Sequence, residues 1–353
     1  PEKVRYARIP YSVNDSPENS KLAEETTRKS IVLLKNENGA LPLGKDIGTI
    51  AVIGPNADDV EVLLGNYNGT PSSPVTPLAG IRNKVGASTE VIYARGCDIA
   101  EGVVSYEPVP DAALWTAVEG RRRNGVSVEY FDNLDLEGEP VRKSILFNIK
   151  AHWGNDAPFD ELTDNQFSVR WSGEITVPET GEYSFRTAGR FGRLVLNGEP
   201  LGGRFGRGPQ SVSLEAGESY PITVEIADRS GAMNFELQWA MQGRDHTAEA
   251  VSAARKADVA LMFLGLSPRL EGEEMRVQVE GFSGGDRDSI DLPQGQEQLM
   301  KAVAATGTPA VLVLLNGSAV AVTWADENIP AIVEAWYPGQ AAGTAIADVL
   351  FIE

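Results

Sequence analysis

The chain has 353 residues, enough for about two or three domains, and carries 50 acidic against 31 basic residues, a formal net charge of −19. This charge repels a phosphate backbone and an anionic bilayer, so neither nucleic acid nor a membrane is an expected partner. One cysteine and two histidines exclude an internal disulfide and a zinc site of the common closed type, so no metal and no other cofactor is predicted.

The first region, up to about residue 117, alternates helical and strand-like patterns. A helix is predicted to begin at Ser16-Pro17-Glu18 and to run toward Ile31, because a capping serine, an early proline and an early acid are helix-start signals. Residues 49–54 are a continuously apolar run that ends in a Gly-Pro-Asn turn. A strand that is apolar on both faces is typical of a parallel sheet covered by helices.

The central region, from about residue 124 to 239, consists of short alternating runs separated by glycine and proline. This spacing predicts an all-β sandwich, with Trp171 and Trp239 in its core. The predicted strands are residues 126–130, 183–186, 194–198, 222–226 and 235–239.

The first pattern returns after Thr247. Because helices again alternate with apolar strands, the outer segments should form one α/β domain, a mostly parallel sheet sandwiched by helices and interrupted by an inserted all-β sandwich. The predicted helices are residues 248–257, 295–304 and 342–351, and the strands are residues 258–265, 310–315 and 331–335. The predicted segments are 1–118 and 244–353 for the α/β domain and 119–243 for the sandwich.

Four stretches of the outer segments carry a family resemblance. They are residues 30–36 with 41–43, residues 50–57, residues 285–287 with 292–293, and residues 336–340. Together they resemble the second, α/β-sandwich domain of glycoside hydrolase family 3, whose members include β-glucosidases and β-xylosidases.

The central segment resembles the protective-antigen-type β-sandwich module, which some family 3 β-glucosidases carry as an insertion. The matching residues are 130–131, 183–186, 194–198 and 235–239. In sugar-binding relatives of this module an aspartate pair helps to hold calcium. Here residues 188–192, Ala-Gly-Arg-Phe-Gly, occupy that place, so calcium-dependent sugar binding is not expected.

The resemblance implies a retaining, exo-acting β-glycosidase whose substrates are oligosaccharides or glycosides and whose location is periplasmic or secreted. Its nucleophile would be an aspartate on a preceding TIM-barrel domain of the same polypeptide. Nothing in this sequence reads as eight strand–helix units, so the chain alone is expected to be inactive and both of its ends are expected to be cuts in a longer polypeptide. The alternative is a carbohydrate-binding protein that acts through the sandwich.

The loop after the strand that ends at Gly265 is the candidate catalytic segment. It holds three carboxylates within four positions, Glu271, Glu273 and Glu274. Functional groups of parallel α/β sheets lie beyond the carboxyl ends of the strands, where this loop is expected. A retaining glycosidase needs two carboxyl groups about 5 Å apart, and this loop could supply the one that protonates the leaving oxygen.

The resemblance selects one glutamate of this loop. The family's acid/base follows a glycine-ended strand at the spacing of Glu271, which is therefore the first choice, with Glu273 as runner-up. A longer stretch before Gly285 than in many relatives leaves the register open among Glu271, Glu273 and Glu280. An acidic loop in a protein of this charge is also compatible with a merely solvated turn.

Two further pairs of side chains are given structural interpretations. Asp286 and Arg287 are predicted to form an ion pair that anchors the loop, because a charged arginine cannot shuttle a proton near neutral pH. Trp336 and Tyr337 could stack on a sugar, but aromatic residues that follow a buried strand are expected in the core.

Overall fold

The structure is a computed structural model, and it describes residues 3–44, 46–69, 71–154, 157–163, 166–189, 192–201, 211–227, 233–242, 244 and 246–351. The chain divides into two compact units. An α/β unit consists of Pro1–Val103 together with Asp245–Glu353, and an all-β unit consists of Val104–Arg244.

Helices occur only in the α/β unit within the described residues, apart from one short 3-10 turn. The α-helices are α1 (Pro17–Ser30), α2 (Pro77–Lys84), α3 (His246–Lys256), α4 (Gln294–Ala304), α5 (Thr323–Asn328) and α6 (Ala342–Leu350).

Strands occur in both units. They are β1 (Val32–Asn36), β2 (Thr49–Ile53), β3 (Glu90–Ala94), β4 (Glu107–Pro108), β5 (Leu114–Val118), β6 (Arg121–Asn124), β7 (Val126–Phe131), β8 (Arg142–Leu146), β9 (Lys150–Gly154), β10 (Ser168–Thr176), β11 (Gly181–Gly189), β12 (Arg193–Leu196), β13 (Glu199–Leu201), β14 (Ser211–Leu214), β15 (Ser219–Ala227), β16 (Met233–Met241), β17 (Val259–Gly265), β18 (Gln278–Val279), β19 (Phe282–Ser283), β20 (Asp286–Arg287), β21 (Ala310–Leu315) and β22 (Ala331–Glu334).

The α/β unit is built on a six-stranded sheet in the order β1-β22-β21-β17-β2-β3. Every pairing is parallel except that of β1 with β22. Each residue of β17 and β21 is buried, as the apolar runs predicted. Leu261 and Phe263 pack with residues of α2 and α6 on one face, and Met262 and Leu264 pack with residues of α3 and α4 on the other. The predicted parallel sheet sandwiched by helices is confirmed.

The all-β unit consists of two antiparallel sheets, one with the path β13-β12-β15-β10-β5-β6 and one with the path β14-β11-β16-β4. Trp171 is fully buried and stacks on Phe235, with ring centroids 5.5 Å apart. Trp239 is 4% exposed, so both tryptophans that were predicted to lie in the core do so. Every residue of this hydrophobic core comes from the unit itself.

The first boundary between the units differs from the predicted one. The sequence placed it after residue 118, whereas the compact all-β unit begins at Val104. The reason is that β5 pairs with β10 and β6 pairs with β5, while β4 pairs with β16, so these strands belong to the sandwich sheets. The second boundary lies after Arg244, one residue beyond the predicted one.

The start of the chain also differs in one element. Helix α1 begins as predicted, with the Ser16 side chain accepting a hydrogen bond from the Asn19 amide. It ends at Ser30, one residue before the predicted end, and the apolar run that follows is the edge strand β1, which was not predicted. No helix in the described part of the chain has the length and apolar character needed to cross a membrane.

Candidate functional site

The candidate site lies at the carboxyl edge of the parallel sheet, where the segments after four neighbouring strands meet. The segment after β17, residues 267–274, is the acidic loop identified from the sequence, and it is called the acidic loop below. Asn66, beyond β2, donates from its side-chain amide to the main-chain carbonyl of Glu271 at 2.9 Å. Gly317 follows β21 and Tyr337 follows β22, and both donate to the Glu271 carboxylate. The site is therefore assembled from distant parts of the sequence.

Glu271 is buried, with 8% of its surface exposed, and both of its carboxylate oxygens have partners. Oε1 accepts from the Gly317 amide at 2.9 Å and from the Tyr337 hydroxyl at 2.5 Å. Oε2 accepts from the Ser318 hydroxyl at 2.5 Å. Burial, the hydrogen bond to Glu271 and the charge of Glu271 together raise the pKa of Tyr337 above its usual value, so the phenol keeps its proton and acts as a donor.

Glycine is required at position 317 by the closeness of the Glu271 carboxylate. A Cβ atom there would come within 2.7 Å of the Tyr337 ring and 3.1 Å of Glu271 Oε1. The amide can approach the carboxylate because no side chain intervenes. The carboxylate thus ties the acidic loop to the turns after β21 and β22.

Glu273 differs from Glu271 although only one residue separates them. Its side chain is exposed, and Oε2 accepts a hydrogen bond from the Tyr67 hydroxyl. This hydrogen bond is the main cause that raises the pKa of Tyr67, because the neighbouring carboxylate favours the protonated phenol. Of the three carboxylates of the acidic loop, Glu271 faces the protein and Glu273 and Glu274 face solvent.

Glu280, the third glutamate that the sequence left open as the acid/base, lies outside the acidic loop. It is exposed in the turn that joins β18 to β19, two strands that pair antiparallel through Gln278–Ser283 and Val279–Phe282. The stretch before Gly285 therefore folds as its own small hairpin. Its backbone returns to the acidic loop at Gly285, whose carbonyl accepts from the Gly272 amide at 3.1 Å.

Arg287 anchors the loop, but not through the predicted ion pair with Asp286. Asp286 is exposed, and no carboxylate among the described residues lies within ion-pair distance of the guanidinium. Instead the guanidinium donates to the carbonyls of Ser289, Asp291 and Ala319 at 2.8–2.9 Å. Burial lowers the pKa of Arg287, and the negative charge of Glu271 opposes that effect. The predicted pair was wrong because main-chain carbonyls, which a sequence does not locate, take up the donors.

Of the two aromatic residues after β22, Trp336 lies outside the core, which corrects its prediction, whereas Tyr337 is half-buried and packs against the core. Trp336 is 42% exposed and has a positive φ of 63°, and its indole donates to the Ser30 carbonyl at 3.0 Å. Tyr337 is half-buried because its hydroxyl reaches Glu271. Below them, buried Glu334 accepts from the Trp336 amide at 2.9 Å and from the Asn316 side chain at 3.3 Å.

Glu334 links the two turns that hold Glu271. Burial raises the pKa of the Glu334 carboxyl, and its hydrogen bonds partly offset this. The sequence analysis missed Glu334, Ser318, Asn66 and Tyr67. A usable signal existed, since Asn316-Gly317-Ser318 directly follows a buried strand whose carboxyl end points to the same edge as Gly265. Among the described residues, no group of three or more histidine, cysteine or acidic side chains is arranged to hold a metal ion.

Comparison with known proteins identifies the family. A family model described as the glycosyl hydrolase family 3 C-terminal domain matches residues 31–353. The chain is 32% identical to a xylan 1,4-β-xylosidase of Xylanibacter ruminicola, covering 99% of this chain and 41% of the relative. It is 31% identical to a β-glucosidase of Rhizobium radiobacter, covering 96% of this chain and 41% of the relative.

Solved structures agree with the sequence relatives. A crystal structure of a β-glucosidase from Kluyveromyces marxianus in complex with glucose matches with a TM-score of 0.61 and 29% identity, over 96% of this chain and 41% of that one. The chain therefore belongs to glycoside hydrolase family 3, as the motifs indicated, and it spans about two fifths of the length of these relatives.

Proposed function

We propose that this chain is the part of a retaining β-glycosidase that supplies the general acid/base. The substrates would be oligosaccharides or glycosides with a terminal β-linked sugar, and the aspartate nucleophile would lie on a TIM-barrel domain of the same polypeptide. The observation that carries the proposal is an exposed glutamate, Glu273, on a loop that is held at the carboxyl edge of the sheet by a buried neighbour, Glu271.

Glu273 is better suited than Glu271 to the acid/base role. A general acid must come within hydrogen-bond distance of the glycosidic oxygen, and the exposed Glu273 can be reached by a substrate. Glu271 is 8% exposed, and three donors of the protein already occupy its two oxygens. We therefore prefer the runner-up of the sequence analysis to its first choice.

The proposed mechanism gives Glu273 two tasks. In the first step the nucleophile attacks the anomeric carbon, the glycosidic C–O bond breaks, and the Glu273 carboxyl gives its proton to the leaving oxygen. In the second step Glu273, now a carboxylate, takes a proton from water while the water oxygen attacks the anomeric carbon and releases the nucleophile. The sugar leaves with its original configuration, and Glu273 is protonated again.

The substrate is proposed only as a class. The named relatives include both a xylosidase and β-glucosidases. The residues of this chain at the site, two tyrosines, two carboxylates and a tryptophan, are compatible with either sugar. Parallel assays with aryl β-glucosides and aryl β-xylosides would separate the two.

The test uses the longer polypeptide that carries the barrel, with Glu273→Ala compared with Glu271→Ala and with the exposed neighbour variant Glu274→Ala. Loss of the acid/base should lower kcat by about 10²–10⁴-fold on substrates with poor leaving groups. Substrates with a dinitrophenyl leaving group need little protonation and should be affected much less. Azide should restore turnover of Glu273→Ala and give the β-glycosyl azide, because a small anion can attack the glycosyl-enzyme without a base.

The outcomes separate the assignments. If azide rescues Glu271→Ala while Glu273→Ala keeps its activity, the acid/base is Glu271 and the preference stated here is wrong. Glu274→Ala should behave as the unaltered enzyme in either case, since that carboxylate has no hydrogen-bond partner among the described residues. A polypeptide without any barrel before this chain would overturn the proposed glycosidase.

A further inference from the structure

Tyr67 has an unusual conformation for an exposed aromatic residue. Its side chain is 86% exposed, and its backbone φ is +54°, in the left-handed region that residues with a bulky side chain rarely adopt. Burial of the ring cannot offset the cost of this conformation, because most of the ring remains in water. Backbone strain of this kind persists where surrounding contacts determine it, and it is frequent at functional sites.

Two hydrogen bonds connect the turn that contains Tyr67 to the acidic loop. The preceding residue, Asn66, donates from its side chain to the carbonyl of Glu271 at 2.9 Å. The Tyr67 hydroxyl itself donates to Oε2 of Glu273. The left-handed turn thus directs a phenol outward along the loop, past the buried Glu271, to the exposed carboxylate.

This arrangement distinguishes the two oxygens of Glu273. Oε2 accepts from Tyr67, whereas no described residue donates to Oε1. A substrate therefore meets Oε1 as the oxygen that is free to carry a proton.

We propose that Tyr67 is a positioning residue for the acid/base: its hydroxyl holds Oε2 of Glu273, so that Oε1 faces the leaving oxygen. This inference rests on the proposed role of Glu273. Tyr67 itself does not transfer the proton, since the carboxyl group takes and returns it.

The test is Tyr67→Phe in the polypeptide that carries the barrel, with Tyr11→Phe as the matched control. Tyr11 is another exposed tyrosine, at 87%, and its hydroxyl makes no hydrogen bond with any described residue. Tyr67→Phe should lower kcat about tenfold for a poor leaving group and leave KM within about twofold, because only the transition state uses the oriented carboxyl. The loss should be much smaller for a dinitrophenyl leaving group, which needs little protonation. Tyr11→Phe should change neither quantity.

The inference and the proposed function fail in different ways. If Glu273→Ala is rescued by azide while Tyr67→Phe leaves kcat unchanged for both leaving groups, Tyr67 does not position the acid/base and the proposed function stands. A higher KM with an unchanged kcat would make Tyr67 a substrate-binding residue and also overturn the inference. If Glu273→Ala has no effect on activity, both proposals are wrong.

Discussion

Replacing Glu271 with glutamine measures how strongly this carboxylate holds the acidic loop. Three donors reach it: the Gly317 amide, the Ser318 hydroxyl and the Tyr337 hydroxyl. Glutamine keeps one acceptor oxygen, but it loses the charge and places an amide group where the second oxygen was. A hydrogen bond to a charged group contributes about 1.5–3 kcal/mol, so the net cost should be about 2 kcal/mol.

In an α/β unit of roughly 200 residues, about 2 kcal/mol corresponds to a fall in Tm of about 4–8 °C. Calorimetry of the 353-residue chain can measure this, with the unfolding of the all-β unit as an internal reference. The control is Glu274→Gln, an exposed carboxylate of the same loop, which should change stability by less than about 0.5 kcal/mol. A double-mutant cycle with Tyr337→Phe should give a coupling of about 1 kcal/mol. If Glu271→Gln destabilises no more than Glu274→Gln does, the carboxylate does not anchor the loop and the reasoning is refuted.

Three other predictions concern different parts of the molecule. Burial raises the folded-state pKa of Glu334, so the stability from this group is present below its usual pKa of 4.5 and is lost as pH rises through the folded value. Glu334→Gln should therefore reduce the fall in Tm between about pH 4 and pH 8. A constant difference in Tm between wild type and variant would contradict this. Arg287→Lys should lower the free energy of unfolding by about 1–3 kcal/mol in thermal melts, because lysine cannot reach three carbonyls at once, whereas exposed Arg276→Lys should have no measurable effect. Residues 104–244 expressed alone should unfold cooperatively by near-ultraviolet circular dichroism, since their core draws on no other residues; a chain without tertiary signal would contradict this.

The elements that the sequence predicted correctly are those with a strong local pattern. Residues 310–315 are apolar throughout and form β21 with the predicted bounds, and residues 49–53 form β2. Antiparallel strands with alternating residues, such as 222–226 within β15, were equally recognisable. The burial of these strands depends on their own composition, so the periodicity of the chain is sufficient to find them.

The elements that were missed depend on partners elsewhere in the chain. The run at 32–36 was not predicted as a strand, and it pairs with β22 as an edge strand. Likewise, β5 belongs to the sandwich because β10 is available to pair with it. A sequence pattern records the propensity of a segment, and tertiary pairing decides where an ambiguous segment goes.

The same limit applies to the two glutamates of the acidic loop. Spacing from Gly265 finds the loop, but it does not decide which carboxylate is buried, because the donors to Glu271 lie 46 and 66 residues further along the chain. Only the closure of the sheet edge brings Gly317 and Tyr337 to it. The sequence alone therefore does not decide between Glu271 and Glu273, because residues distant in the chain determine which one is buried.

In the proposed reaction the two glutamates would meet opposite requirements, and neither would serve alone. A proton donor must be reachable by the substrate, which excludes a carboxylate whose oxygens are both occupied within the fold. It must also be held in place, because a loop that moves by an ångström loses much of its catalytic effect. A buried carboxylate two positions earlier supplies the fixed point, and the exposed carboxylate then needs only one further contact, from Tyr67, to have a defined direction. Removing the fixed point should therefore lower activity without abolishing azide rescue at Glu273→Ala, a combination that a directly catalytic Glu271 would not give.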